Sequence, residues 1–472
     1  MSISTEQRIA RVIANLLPET ALAGRFGPAQ PLEARLAACH TPGASIAVIN
    51  DYAVEWAQGF GVAGAGTGVP VAATTLFQAA SISKPITALA VMRLVQQGRL
   101  DLDANANTYL RSWQIPSTEG WQPVISLRQL LSHSAGLTVH GFPGYQTDEP
   151  LPSTVQILNG EPPANTVKVQ ANILPGLQTR YSGGGTTVVQ QLLTDTLGAP
   201  FPAIMQELVL EPLGLADSTY AQPLPAELAG RAATAHPWKG IPLRGGHQIY
   251  PEMAAAGLWT TPADLAAIGV ELMQALQGRS DRLLTAASVE QMLRPQLPGQ
   301  QAGEGEYVGI GFFCGGKGDG FFFGHGGWNE GFVALMRFYP QIGKGAVVML
   351  NSNEGHPLLE EIMRAIGLEY GWPEALPAER PVVALASTER YAGAYAAESG
   401  LVFQITSQDG KVALQLGQQP PLPLLPTTDQ AFFSSALNTT VTFEQDSAGQ
   451  ISGLTLSQDG KTIAAKRQGT AG

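Results

Sequence analysis

Phe77-Gln78-Ala79-Ala80-Ser81-Ile82-Ser83-Lys84-Pro85, continued by Ile86-Thr87-Ala88-Leu89-Ala90-Val91-Met92-Arg93-Leu94-Val95-Gln96-Gln97-Gly98, is the stretch on which the reading turns. Its second half predicts a buried helix. A proline stands near the first turn, a dense apolar run follows without a breaker, and a glycine sits where a left-handed C-terminal cap belongs. Ser81 and Lys84 are then three residues apart at a helix start, on one face. A serine hydroxyl is a weak nucleophile and needs a base within hydrogen-bond reach. A lysine serves as that base once burial and the positive helix end favour its neutral form. The same helix end offers free backbone N–H groups that can stabilise an oxyanion. Four letters of the pattern S-x-x-K recur by chance in long chains, where they read as an N-cap serine and a solvated lysine. The remaining residues have to decide.

At 472 residues the chain is too long for one ordinary core and predicts two or three domains. With 44% hydrophobic and 14% charged residues, the composition is that of a globular protein. A net charge of −11, spread along the chain, excludes nucleic acid and anionic membrane as expected partners. The expected partner is a small-molecule or peptide substrate, and a homo-oligomer stays open. Met1 to Ile13 reads as an amphipathic helix without the basic head, apolar run or cleavage site of a secretion signal. No apolar stretch of about 18 residues appears, so no membrane span is expected. Cys39 and Cys314 are too few for a disulfide framework or a zinc site. A cytoplasmic protein with reduced thiols and no cofactor is the expectation.

Taken in order, Gly43 to Asn50 and Ala53 to Gly61 predict a β-hairpin joined at Asp51-Tyr52. Short helices follow, one capped by Ser126, and Thr138 to Pro175 reads as a long irregular segment of the kind found at site mouths. Helices are predicted from Thr186 to Leu197, Phe201 to Leu210 and Thr261 to about Gln277. Strands return at Tyr307 to Cys314, Gly320 to Gly324, Gly331 to Tyr339 and Gly345 to Asn351, before a helix from Pro357 to Tyr370. Strands at both ends with helices between predict an α/β (α+β) lobe built from both ends, with a helical lobe inserted. Pro373 to Pro381 holds three prolines and reads as a linker. Beyond it, short alternating strands predict a small antiparallel β-barrel or sandwich from about 387 to 472. Ser407-Gln408-Asp409-Gly410-Lys411 recurs as Ser457-Gln458-Asp459-Gly460-Lys461, and Asp-Gly between apolar runs signals a hairpin. The expected domains are therefore 1–375, a linker at 376–386, and 387–472.

Three further pieces join the serine and lysine. Arg180-Tyr181-Ser182-Gly183-Gly184-Gly185 puts a tyrosine at a glycine-rich turn before a helix. Gly324-His325-Gly326-Gly327-Trp328-Asn329 sits between two strands, where glycines admit close backbone approach. Leu130-Leu131-Ser132-His133-Ser134-Ala135-Gly136-Leu137 and Ala256-Gly257-Leu258-Trp259-Thr260-Thr261-Pro262 accompany them. In this order the segments resemble the class C β-lactamase-like serine hydrolases, a superfamily of DD-peptidases, D-aminopeptidases and β-lactamase-fold carboxylesterases. The resemblance covers roughly Thr5 to Tyr370 and implies a transpeptidase-like catalytic fold. It implies Ser81 as the acylated nucleophile, Lys84 as its base, and Tyr181 as the tyrosine that shares proton transfer. His325-Gly326-Gly327 falls where β-lactamases have Lys-Thr-Gly, and the N–H groups of Ser81 and Trp328 would form the oxyanion hole. The C-terminal block resembles the lipocalin-like domain of some members.

Two departures bear on substrate. Tyr181-Ser182-Gly183 replaces the family's Tyr-x-Asn, so Gly183 stands where an amide would meet lysine and substrate. His325 replaces a lysine and removes a permanent charge from the site. Both point towards small esters or D-amino acid amides and peptides. The alternatives are a penicillin-recognising DD-peptidase or weak β-lactamase, and a non-catalytic binding protein on the same fold. His133 is expected to bond loop carbonyls. His40, His140, His236, His247 and His356 show no ligand spacing, so no metal is expected. No G-x-S-x-G elbow and no Gly-Lys-Ser/Thr phosphate loop occurs.

Overall fold

The hairpin that opens the fold forms as its turn residues dictate. Strand β1 (Gly43–Asn50) and strand β2 (Ala53–Gly61) are joined by Asp51 and Tyr52, whose φ values of 50° and 60° are those of a tight two-residue hairpin turn. The computed structural model describes residues 3–17, 20–22, 29–302, 305–373, 378–434, 439–458 and 461–468. They divide into two compact units, Met1–Leu16 with Gln30–Ala375, and Leu17–Ala29 with Leu376–Gly472.

In the first unit, five strands from the second half of the chain complete the sheet: β3 (Tyr307–Val308), β4 (Phe313–Gly315), β5 (Phe322–Asn329), β6 (Phe332–Tyr339) and β7 (Lys344–Leu350). Their order is β2-β1-β7-β6-β5-β4-β3, and every pairing is antiparallel. The central strands are apolar on both faces because both faces are covered. Ala44, Ile46 and Val48 of β1 enter one core, with residues of the helices Thr5–Ala14, Leu32–Ala38 and His356–Tyr370. Ala47 and Ile49 enter the other, with residues of the helices Ser83–Gln96 and Pro262–Leu276 and of the inserted helical lobe. A period of two thus sorts one continuous apolar run between two cores.

The helix Ser83–Gln96 is buried from Ser83 through Met92, and again at Leu94. It lies at the centre of the larger core. Four details depart from the expected elements. Gly324 to Asn329, expected between two strands, lies within strand β5. Tyr307 to Cys314 is a hairpin and not one strand, because Gly311 (φ +81°) turns the chain and the Gly309 N–H bonds the Phe312 carbonyl. The triple glycine belongs to the helix Gly183–Leu197 itself, whose N-cap Ser182 accepts from the Gly185 N–H. The segment Phe201 to Leu210 begins as the helix Phe201–Met205 and continues as a π turn, Gln206–Leu210.

In the second unit, Thr20–Leu22 pairs in parallel with Ala378–Arg380, three residues of the stretch expected to be linker. Eight strands, from Gly393–Ala397 to Lys461–Arg467, form a closed antiparallel barrel in which the last strand pairs with the first. Asp409 and Gly410 carry the positive φ that their hairpin requires; Asp459 and Gly460 lie outside the described residues. Tyr391, Tyr395, Phe403, Phe432 and Phe443 are buried together in this unit's own hydrophobic core. Among the described residues no helix is long and apolar enough to cross a membrane.

Because both sheet-facing cores lie in the first unit, a chain ending at Val383 is expected to unfold cooperatively, with Thr20–Leu22 still paired to Ala378–Arg380. Thermal circular dichroism checks this. Broad, non-cooperative melting would mean that the two units share stability.

Candidate active site

Ser81 sits in a single 3-10 turn, Ala80–Ile82, that runs directly into the helix Ser83–Gln96. Ala80 before it has φ +50°, a left-handed conformation that costs a non-glycine residue on the order of 1–2 kcal/mol. Such strain persists only where the surroundings enforce it. Here the Ala79 N–H bonds the Leu258 carbonyl, the Leu258 N–H bonds Ser83 Oγ at 3.0 Å, and Ser83 Oγ donates to the Ala80 carbonyl at 2.6 Å. Tyr220 and Thr87 add bonds to the Ser83 and Ala254 carbonyls. The helix start is thereby fixed to the segment Ala254–Leu258.

Lys84 is 4% exposed. Its Nζ lies 3.0 Å from Ser81 Oγ and 2.7 Å from the Ala255 carbonyl oxygen. Burial pushes its pKa down from 10.5 to about 7. Tyr181 lies above, with Lys84 Nζ 5.0 Å from its ring centre, and lines one cavity with Ser81. Burial raises the Tyr181 pKa, and the neighbouring Ser81 hydroxyl opposes that only in part. Near pH 7 the phenol therefore keeps its proton while the amine shares that range.

His325 is also 4% exposed, with its ring centre 6.1 Å from that of Tyr181 and 5.0 Å from that of Phe313. Its Nδ1 is paired with the Gly326 carbonyl. Burial, with the Lys84 charge added, pushes its pKa down to about 3, so the imidazole is neutral. The two glycines beside it differ. A Cβ at Gly327 would stand 2.2 Å from the Ala79 carbonyl oxygen, so this strand approaches the turn before Ser81 too closely for any side chain. A Cβ at Gly326 would meet only the Ala334 carbonyl oxygen, at 3.8 Å. Strand β4 pairs no further along β5 than Gly324, which leaves the edge from His325 onward open beside Ser81.

Ser81, Tyr181, His325, Gly326, Gly327 and Trp328 line one cavity of about 490 Å3, completed by Phe313, Ala334, Leu335, Leu359, Glu360, His140 and His356. Its one carboxylate, Glu360, is bonded by Arg337 at 2.8 Å, and no lysine or arginine lines it. Trp328 is 55% exposed and held in place, its Nε1 donating to Asn353 Oδ1 and its ring stacked on His356 at 5.1 Å. A larger apolar cleft of about 730 Å3 between the helices Thr5–Ala14 and Leu32–Ala38 has no serine, cysteine or lysine in its lining.

Gly183 does not belong to this lining. Its N–H bonds the His140 carbonyl, and a Cβ there would stand 2.8 Å from the Phe142 ring, so Phe142 occupies the space an asparagine side chain would need. His133 does not donate to loop carbonyls as expected. Its Nδ1 accepts from the Ser182 N–H and its carbonyl from the Arg180 N–H. Phe313, Phe142, His140 and Ala255 carried no signal in the sequence, since their roles follow from distant segments meeting. Among the described residues no group of three or more His, Cys, Asp or Glu could hold a metal ion.

The family model described as Beta-lactamase matches residues 29–369. Esterase EstB of Burkholderia gladioli is 29% identical over 175 residues, 36% of this chain and 44% of its own, so the chain spans less than half the length of that relative. Penicillin-binding protein 4* of Bacillus subtilis (strain 168) is 22% identical over 398 residues, 79% of this chain and 84% of its own. The octameric penicillin-binding protein homologue from Pyrococcus abyssi superposes with a TM-score of 0.63 at 21% identity, over 92% of this chain and 98% of that one, and shares the fold. With the family model matched across most of its length, this chain belongs to the beta-lactamase family.

Proposed function

We propose that the protein is a serine hydrolase that acts through a covalent acyl-enzyme on small esters or D-amino acid amides and peptides. The observation that carries this reading is Lys84 Nζ at 3.0 Å from Ser81 Oγ in a buried setting that holds the amine near neutrality at pH 7. Ser81 Oγ attacks the acyl carbon as its proton passes to Lys84. The oxyanion takes hydrogen bonds from the N–H groups of Ser81 and Trp328. Tyr181, protonated at rest, relays the proton from Lys84 to the leaving group. Water then repeats the sequence on the acyl-enzyme and releases the acid.

The cavity lining supports the substrate class. Phe313, Trp328, Leu335 and Leu359 suit a neutral acyl or aryl group, and the lining holds no cation to pair with the carboxylate of a β-lactam. The esterase among the relatives agrees with this, while Penicillin-binding protein 4* keeps a penicillin-recognising DD-peptidase or weak β-lactamase as the second reading. A homo-oligomer is part of the proposal, in line with the octameric homologue. Cleavage needs neither metal nor cofactor in this scheme. The intact set of Ser81, Lys84 and Tyr181 weighs against a purely binding role.

Ser81→Ala is expected to abolish both turnover of p-nitrophenyl esters and labelling by a fluorophosphonate, read by intact-protein mass. Lys84→Ala and Tyr181→Phe should remain folded, with kcat lower by roughly 10³-fold or more, because the three act as one unit. Unchanged kcat in Tyr181→Phe would remove that residue from the mechanism.

The pH profile follows from Lys84. The base works deprotonated, so kcat/KM should be flat above its pKa and fall about tenfold per pH unit below about 7. An acid limb near 4 would instead assign the base to a carboxylate.

His325 carries the substrate prediction. A neutral imidazole offers a carboxylate less attraction than lysine, and a charge-assisted bond is worth about 1.5–3 kcal/mol, or roughly 10- to 150-fold in affinity. Short-chain esters or D-amino acid amides should exceed nitrocefin and penicillin in kcat/KM at pH 7.5, and His325→Lys should move the ratio towards the β-lactams. A β-lactam value equal to the best ester or amide value in the unmodified protein would favour the peptidase or β-lactamase reading.

A further inference from the structure

We infer that His133 is a positioning residue for Tyr181: it clamps the backbone on both sides of the tyrosine and backs its ring, which holds the phenol on Ser81. This rests on the acyl-transfer reading of Ser81, Lys84 and Tyr181 given above.

Three contacts converge. The Arg180 N–H donates to the His133 carbonyl at 2.7 Å, and the Ser182 N–H donates to His133 Nδ1 at 3.2 Å. Between these two anchors, the Tyr181 ring lies against the imidazole with centres 4.3 Å apart. His133 is 4% exposed and held at φ +55°, a conformation that costs most side chains free energy unless the surroundings enforce it. They do so here. The Gly176 N–H bonds the Ser134 carbonyl, the Ser134 N–H bonds the Gln129 carbonyl, and the Gly311 N–H bonds the Leu131 carbonyl. The hydroxyls of Ser132 and Ser134 bond each other at 2.9 Å. The segment from Leu131 to Ser134 thus ties the tyrosine loop and the β3–β4 turn to one helix end.

The chemistry of the ring fits the role. A backbone N–H can only donate, so Nδ1 must present a lone pair and the ring proton resides on Nε2. Burial, with the Lys84 charge added, keeps His133 neutral and preserves that lone pair. A reacting group displaced by about 1 Å loses on the order of 10²-fold in rate, so a clamp at both flanks of Tyr181 bears directly on turnover.

The test compares His133→Asn, His133→Gln and His133→Gly. Asparagine places Oδ1 where Nδ1 stands and tolerates positive φ; glutamine reaches one bond too far; glycine satisfies the backbone but removes acceptor and ring. For each, melting temperature establishes folding. The readouts are kcat and KM on a p-nitrophenyl ester, the rate of fluorophosphonate labelling at Ser81, and amide hydrogen exchange in the peptide Arg180–Gly185. His133→Gly is expected to lower kcat and labelling rate by roughly 10²-fold with KM within a few-fold, and to speed exchange at Ser182. His133→Asn should recover to within about tenfold of the unmodified protein, and His133→Gln should not. In a Tyr181→Phe background, His133→Gly should cost less than about threefold more, because its effect runs through the lost hydroxyl. The proposal is overturned if His133→Gly stays within about threefold of the unmodified protein, if Gln equals Asn, or if the losses multiply in the Tyr181→Phe background. Failure of the unmodified protein to label at Ser81 would remove the acyl-transfer reading instead. Exchange would then decide the clamp alone: equal exchange at Ser182 with and without His133 would overturn it.

Discussion

The burial of one amine organises this molecule. Lys84 is enclosed by its own helix, by the Ala254–Leu258 segment and by the ring of Tyr181, with the Ala255 carbonyl and Ser81 Oγ as its polar partners. An isolated ammonium in such a place is expensive, and the free energy is recovered by shedding the proton. What would be a defect in an ordinary core leaves here an amine that shares its proton near pH 7, as the proposed base requires. Everything that keeps water from Lys84 therefore also sets its basicity, and packing becomes chemistry.

That arrangement depends on close backbone approach from two directions. Gly327 lets strand β5 press against the Ala79 carbonyl, and Ala80 accepts a left-handed conformation so that Ser81 faces the strand. Val139, with φ +64°, is a second strained residue nearby, and its carbonyl takes bonds from the Gly184 N–H and Ser182 Oγ. Ala80, His133 and Val139 are strained at the three segments that meet at the site. Their conformations are held by hydrogen bonds from neighbouring elements, so local strain and site geometry are two aspects of the same packing.

The proposed substrate class follows from what the neighbours supply. His325 and Phe142 occupy positions where a lysine and an asparagine would give a polar, charged site. The result is a cavity with aromatic and aliphatic walls and one already paired carboxylate. Such a lining suits the proposed recognition by shape and apolar area more than by charge.

Much of this was legible in the chain alone. The hairpin at Asp51-Tyr52, the buried helix after Ser81, the glycines around His325 and the strand-rich C-terminal block are local patterns. Period, turn chemistry and capping act over a few residues and leave their mark in the order of letters. The proposed nucleophile and base are also local, because three residues of helix bring Ser81 and Lys84 together. What only the tertiary structure decided was the setting of those groups. The triple glycine reads as a turn by composition yet is helical, and Phe142 and the Thr138 carbonyl crowd the space where side chains of residues 183 and 184 would be. The pairing of Thr20–Leu22 with Ala378–Arg380 joins segments hundreds of residues apart, and no local pattern announces it. Nor does a histidine's type reveal that His133 accepts from Ser182, or that burial lowers Lys84 and His325 so far. Desolvation, ring contacts and clamps depend on which distant residues share a volume, and that is settled only when the chain has folded.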